Sequence, residues 1–146
     1  MKISTRTRYG VRAMFELAME YGKGPLQTRT IAERENISNK YLEQLIAVLK
    51  SAGLIRSIRG PKGGYVLVSP PAKVRLLEVF IALEGPIEPV ECLEHESYCP
   101  RCATCVTRGV WAEIQKSVTN VLEKTTLQDL VDRAKRLAEG SGTYHI

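Results

Sequence analysis

Leu54-Ile55-Arg56-Ser57-Ile58-Arg59-Gly60-Pro61-Lys62-Gly63-Gly64-Tyr65-Val66-Leu67-Val68 holds two short extended runs around a tip too rich in Gly and Pro for a helix. It predicts a β-hairpin with strands 54–58 and 65–68 and a basic tip at Arg59 and Lys62. Folding alone requires no pair of cations on such a tip. A glycine-rich backbone approaches phosphates closely or enters a minor groove.

The segments before the hairpin are helical. Val11, Met14, Phe15 and Ala18 recur at helical spacing over 7–21, and Gly22-Lys23-Gly24-Pro25 ends that helix. A short second helix is expected with Thr28 or Thr30 as its cap, Thr30-x-x-Glu33 fitting a capping box. After the turn Asn36-Ile37-Ser38 a third runs from about Asn39 to Ala52, with Leu42, Leu45, Ile46 and Leu49 inward and Gly53 at its end. Two helices joined by a tight turn, then a basic hairpin, have the order of a winged helix-turn-helix. The fold class is mainly α with a small β-hairpin wing. A helix fits the major groove and its N-terminal residues reach base edges. Here those are Ser38, Asn39, Lys40, Tyr41, Glu43 and Gln44, with Arg59, Gly60 and Lys62 on the wing and Arg6, Arg8 and Arg12 as phosphate contacts from the first helix.

Charge supports this placement. Residues 1–75 carry 14 Lys and Arg against 5 Asp and Glu, a net of +9, whereas residues 76–146 carry 7 against 11, a net of −4. A basic half beside an acidic half suits a nucleic-acid face next to a control or assembly region.

Beyond the wing, Ser69-Pro70-Pro71 breaks the chain and a helix is expected over about 73–83. All four cysteines then fall within fourteen residues, at Cys92, Cys99, Cys102 and Cys105, in a loop over 84–104. Such clustering builds a soft-metal or redox site, since thiolate sulfur is polarisable and gives its proton up to the metal. Cys99-x-x-Cys102-x-x-Cys105 repeats the first part of a ferredoxin run, so a two-iron or four-iron cluster ranks first, a thiol switch second and zinc third. His95 is expected to be a solvent-exposed loop residue rather than a ligand. Cys105, near a helix start, has its thiolate favoured by exposed N–H groups.

A long helix follows from near Cys105, with Trp111, Ile114, Val118 and Val121 forming a heptad-like seam that predicts a homodimer. Thr126-x-x-Asp129 starts a last helix with Leu127, Leu130, Val131 and Ala134 on one face. The expected organisation is a winged domain over 1–83, a sensor loop over 84–104, dimerisation and C-terminal helices over 105–138 and a flexible tail over 139–146. No apolar run is long enough to span a membrane and the N-terminus lacks a signal-peptide core, so the expected compartment is the cytoplasm, with no membrane partner.

Arg8-Tyr9-Gly10-Val11-Arg12-Ala13-Met14, Tyr41-Leu42-Glu43-Gln44-Leu45 and Arg59-Gly60-Pro61-Lys62-Gly63-Gly64-Tyr65 resemble the Rrf-type transcription regulators, which include IscR-, NsrR- and CymR-like members. Cys105-Val106-Thr107-Arg108-Gly109-Val110-Trp111 and Thr126-Leu127-Gln128-Asp129-Leu130-Val131 also look like that family. The resemblance implies a dimeric winged-helix regulator that binds operator DNA, with the long helix crossing to a partner subunit and a cysteine loop that holds a cluster in many members. The histidine that IscR-like members place three residues after the last cysteine is Arg108 here, and the aspartate of NsrR-like members is Arg8. The extra thiol Cys102 is then the candidate fourth ligand beside Cys92, Cys99 and Cys105.

Other classes fit less. No Gly-rich phosphate loop with Lys-Ser/Thr and no H-E-x-x-H occurs, and two histidines leave little choice of base for a cysteine nucleophile, so no enzyme is expected. A ferredoxin-like electron carrier has no use for the basic wing, whereas an iron–sulfur or protein–protein adaptor is the reading if the third helix does not touch DNA. A thiol- or zinc-based regulator of sulfur metabolism is the nearer alternative.

Overall fold

The computed structural model describes residues 2–143. Helix α1, Thr5–Met19, starts where Ser4 accepts a hydrogen bond from the Thr7 N–H, two residues earlier than periodicity alone suggests. Its buried stripe is Thr7, Gly10, Ala13, Met14, Leu17 and Ala18, while Val11 and Phe15 pack at its margin. Helix α2, Thr28–Glu35, is preceded by Gln27 and has no side-chain cap. The box expected at Thr30 and Glu33 does not form. Leu26 and Tyr65 exchange backbone hydrogen bonds of 3.0 and 2.8 Å, and this tertiary bridge fixes where the chain turns into α2. Thr30 is thereby left inside the helix, and Glu33 pairs with Arg29.

Asn36 takes the left-handed conformation at φ 54°, and Ser38 caps α3, Asn39–Ser51, by accepting from the Tyr41 N–H at 3.1 Å. Leu42, Leu45, Ile46 and Leu49 face inward as their spacing dictates, and Gly53 adopts φ 76° just past the helix end. Burying a leucine of this kind stabilises the fold by roughly 1.5–3 kcal/mol. Strands β1, Ile55–Ile58, and β2, Gly64–Leu67, pair antiparallel with Ile55 opposite Leu67 and Ile58 opposite Gly64.

The helix expected from Lys73 begins later. Pro71–Lys73 is a 3-10 turn, Val74 and Arg75 are extended, and α4 spans Leu76–Glu84. The reason is again tertiary: Leu127 donates to the Val74 carbonyl at 2.9 Å and Leu76 to the Thr125 carbonyl at 2.8 Å. The cysteine loop carries 3-10 turns at Glu91–Leu93 and Glu96–Tyr98. Helix α5, Val106–Lys124, buries no residue within this chain. Helix α6, Leu127–Thr143, opens on a reciprocal box, Thr126 N–H to the Asp129 carboxylate at 2.8 Å and Asp129 N–H to Thr126 Oγ1 at 3.1 Å. Leu127 and Val131 enter the same core as Met14, Ile31, Leu42, Leu45, Leu49 and Val79, so α6 returns to the winged domain. It stays helical to Thr143, into the segment expected to be a tail. The remainder of that tail, with His145, lies outside the described residues. No described helix is long and apolar enough to cross a membrane.

Candidate DNA-binding face and cysteine loop

Capping by Ser38 leaves the first turns of α3 outward, with Ser38, Asn39, Lys40, Glu43 and Gln44 exposed and Tyr41 half-buried. Asn39 donates to the Glu43 carboxylate at 3.0 Å. The Tyr41 ring meets Tyr9 of α1 edge-on, with centroids 6.2 Å apart at 87°. Arg12 lies 5.4 Å over the Tyr9 ring and pairs through Nε with the buried carboxylate of Glu35 on α2. Arg12 thus stands at the surface in a chain of contacts that joins the three helices. Burial pushes the Glu35 carboxyl above its ordinary range, a hydrogen bond with Glu16 adds to this, and the Arg12 charge opposes it. Arg8 remains exposed, held only by a 3.3 Å bond from its guanidinium to Thr5. Arg6, Tyr41, Gln44, Leu45 and Val48 line a cleft of about 250 Å³ between α1 and α3.

On the wing, Arg59, Gly60, Pro61 and Lys62 are all exposed, and Gly63 closes the tip by donating to the Gly60 carbonyl at 2.9 Å. At Gly64 a β-carbon would stand 2.5 Å from the Leu26 carbonyl oxygen and 2.6 Å from its carbon. Only glycine lets the strand come that close, so this residue sets the wing against the approach to α2.

In the cysteine loop Cys92 sits in the first 3-10 turn, Cys99 ends the second, Cys102 is 9% exposed and Cys105 is the residue before α5. All four are free thiols. Arg108 donates from Nε and Nη2 to the Cys92 carbonyl, at 3.1 and 2.9 Å, and so ties the start of the loop to the first turn of α5. Gln115 adds a 2.6 Å bond to the Ile87 carbonyl. The position where IscR-like members hold a histidine is therefore a latch here. Cys105 Sγ lies 3.2 Å from Thr107 Oγ1. That hydrogen bond, then the Arg108 N–H, holds the Cys105 thiol below the ordinary cysteine range. Cys102 and Cys105 line one cleft of about 310 Å³ with Leu93 and Arg108. His95 is exposed beside Glu94. Among the described residues no three Cys, His, Asp or Glu side chains converge on a metal-sized site. Four thiols fit an iron–sulfur cluster or zinc in kind, but the loop as folded is not a closed ligand cage.

One feature carried no local signal in the sequence. Glu84, the last residue of α4, accepts on Oε2 from the Ser4 N–H at 3.3 Å, from the Ser4 hydroxyl at 2.5 Å and from the buried hydroxyl of Thr7. Those hydrogen bonds, Ser4's first and then Thr7's, hold its carboxyl below the usual range.

On α5, Trp111, Ile114 and Val121 are 37%, 38% and 64% exposed and Val118 is half-buried, so the heptad-like seam is only partly covered within the chain.

A model of the Rrf2 family, described as an iron-dependent transcriptional regulator, matches residues 3–133. The HTH-type transcriptional regulator CymR of Bacillus subtilis is 47% identical over 130 residues, 89% of each chain. The solved structure of that CymR, described as the global cysteine regulator of B. subtilis, superposes with a TM-score of 0.79 at 44% identity, over 91% of this chain and 98% of that one. T. potens IscR superposes at 0.76 and 40% identity, over 92% and 88%.

Proposed function

This chain belongs to the Rrf2 family of transcriptional regulators, and on that premise we propose that it works as a homodimer whose binding to operator DNA is set by the chemistry of its four-cysteine loop. Its relatives are named transcription regulators, not enzymes, and DNA binding follows from the family. The observation that carries the fuller reading is the pairing of two exposed surfaces in one rigid domain. The outward face of α3 offers Lys40, Tyr41, Glu43 and Gln44 to base edges, and the wing offers Arg59 and Lys62 to phosphate or minor groove. Arg8 adds a phosphate contact from α1. Pairing on the exposed seam of α5 would bring two such domains side by side, and a dimer reads two half-sites at a fixed spacing.

Cys92, Cys99, Cys102 and Cys105 would hold an iron–sulfur cluster, whose soft irons take thiolate ligands and respond to oxidants. The second reading, a thiol switch, is favoured by the cleft that Cys102 and Cys105 share and by the acidified Cys105 thiol. In it two thiols become one disulfide, with two electrons passing to an oxidant and two protons released.

The test is the absorption spectrum and the iron, zinc and sulfide content of protein purified without oxygen, followed by its affinity for a duplex selected from a random pool. Iron with sulfide, and an affinity that changes when the iron is stripped, is the expected result. A metal-free protein whose affinity changes between reduced and oxidised thiols assigns the switch instead. Equal affinity in every state sinks loop control. For the DNA face, Arg59→Ala should weaken binding to all duplexes alike, whereas Gln44→Ala should change the preferred sequence. The reverse pattern would exchange their roles.

A further inference from the structure

The cysteine loop begins directly after Glu84, and the helix that carries Arg6 and Arg8 begins directly after Ser4. These two points are 80 residues apart in sequence and joined in space by one carboxylate oxygen. We propose that the Ser4–Thr7–Glu84 cluster is the clasp through which the cysteine loop positions the N-terminal end of α1 on DNA, with Thr7 and Glu84 as positioning residues that touch neither DNA nor the thiols. The proposal rests on the reading of α1 as part of the DNA face and of the loop as the control element.

Three observations support it. First, the clasp is the cap of α1. The Ser4 hydroxyl both accepts from the Thr7 N–H at 3.2 Å and donates to Glu84, so the carboxylate holds the residue that starts the helix. A carboxylate at a helix N-terminus is also favoured by the exposed N–H groups there. Second, the contact is built into the interior. Thr7 is 1% exposed, and its hydroxyl has the Glu84 carboxylate and the Ser4 hydroxyl as partners. Losing the carboxylate leaves a buried hydroxyl short of an acceptor. Third, the loop reaches back to the same place. Pro86, Ile87, Glu88 and Pro89 line a cleft of about 200 Å³ with Lys2 and Ile3, the residues that lead into Ser4. The same first half of the loop is tied to α5 by Arg108 on Cys92 and by Gln115 on Ile87. The loop is therefore strung between α5 and the start of α1.

A transmitting contact differs from a merely stabilising one in a double-mutant cycle. Arg108→Ala removes the tie between Cys92 and α5 whether or not any metal is bound, and leaves the Gln115–Ile87 bond in place. Thr7→Val removes the clasp hydroxyl at nearly constant shape. With a duplex selected from a random pool by the wild-type full chain, Arg108→Ala is expected to weaken binding at least ~5-fold, within the range of site-to-site couplings. In the Thr7→Val background the same change should cost less than ~2-fold, the limit of additivity for independent sites. Thr7→Ser, which keeps the hydroxyl, should restore the full effect. If Thr7→Val fails to fold by circular dichroism, Glu84→Ala takes its place in the cycle.

An equal cost of Arg108→Ala with and without the clasp overturns the proposal, as does no cost in either background. Equal affinity of iron-loaded and iron-stripped wild type sinks cluster control alone, while the cycle still decides the clasp. A chain that selects no duplex overturns both readings.

Discussion

Gly10 lies in the middle of α1, on the face that meets α4, where a side chain has no free space. A β-carbon there would stand 2.9 Å from Leu83 Cδ2 and 3.1 Å from Leu83 Cγ, with Leu83 Cδ1 closer still. Ordinary carbon–carbon contacts are about 3.5–4.0 Å, so the overlap is on the order of half an ångström or more at several atoms. Two effects oppose each other. Alanine is the better helix former by about 1 kcal/mol. Overpacking a core costs about 1–3 kcal/mol. Leu83 is only 6% exposed, so turning its methyls away from Gly10 pushes them into other buried side chains. We expect Gly10→Ala to destabilise the protein by about 1–2 kcal/mol. The assay is urea unfolding of the reduced protein, comparing midpoints at constant m-value. In a Leu83→Ala background the obstacle is gone, and the same change should become neutral or stabilising by up to about 1 kcal/mol. A Gly10→Ala protein more stable than wild type, with Leu83 in place, would refute the reasoning and mean that α1 and α4 slide apart without cost.

Other outcomes follow from the same geometry. If α5 pairs two copies, Ile114→Asp with Val118→Asp should halve the mass in sedimentation equilibrium, because that seam is only partly covered in its own chain; an unchanged mass would deny the seam this role. Thr126→Ala should cost about 1 kcal/mol by removing half of the box that starts α6, read as a lowered thermal midpoint. Asp129, whose carboxyl is held below its ordinary value chiefly by the Thr126 N–H, gives stability that is present above pH ~4 and lost as pH falls through its folded pKa. Asp129→Asn should flatten that acid limb, and an unaltered limb would deny Asp129 the role. In Cys102→Ala a fully loaded, spectrally unchanged cluster would remove Cys102 from the ligand set.

Elements whose signals are local could be read from the sequence. Ser38 and the stripe from Leu42 to Leu49 define α3, Thr126 and Asp129 start α6, and the Gly-Pro tip makes the wing. Where the sequence misleads, a distant partner decides. Thr30 and Glu33 have the residues of a capping box, yet two backbone hydrogen bonds between Leu26 and Tyr65 set the turn into α2 upstream of it. Val74 and Arg75 have nothing against helix, but the chain around Thr126 takes their backbone groups into a short bridge. The pairing of Arg12 with Glu35, 23 positions away on another helix, left no local signal either. The thiols were conspicuous by clustering. The Arg108 latch was visible only as a missing histidine, and the partners of Glu84 could not be seen at all.

The bare α-carbon of Gly64 has a mechanical consequence. Because β2 presses on the Leu26 carbonyl at that point, the hairpin and the helices behind it form a calliper with a fixed opening. The distance between α3 and the cationic tip is then set by the backbone of the domain itself. Were two such domains paired, the spacing of their half-sites would be set by how the pair is held, with the opening of each calliper unchanged.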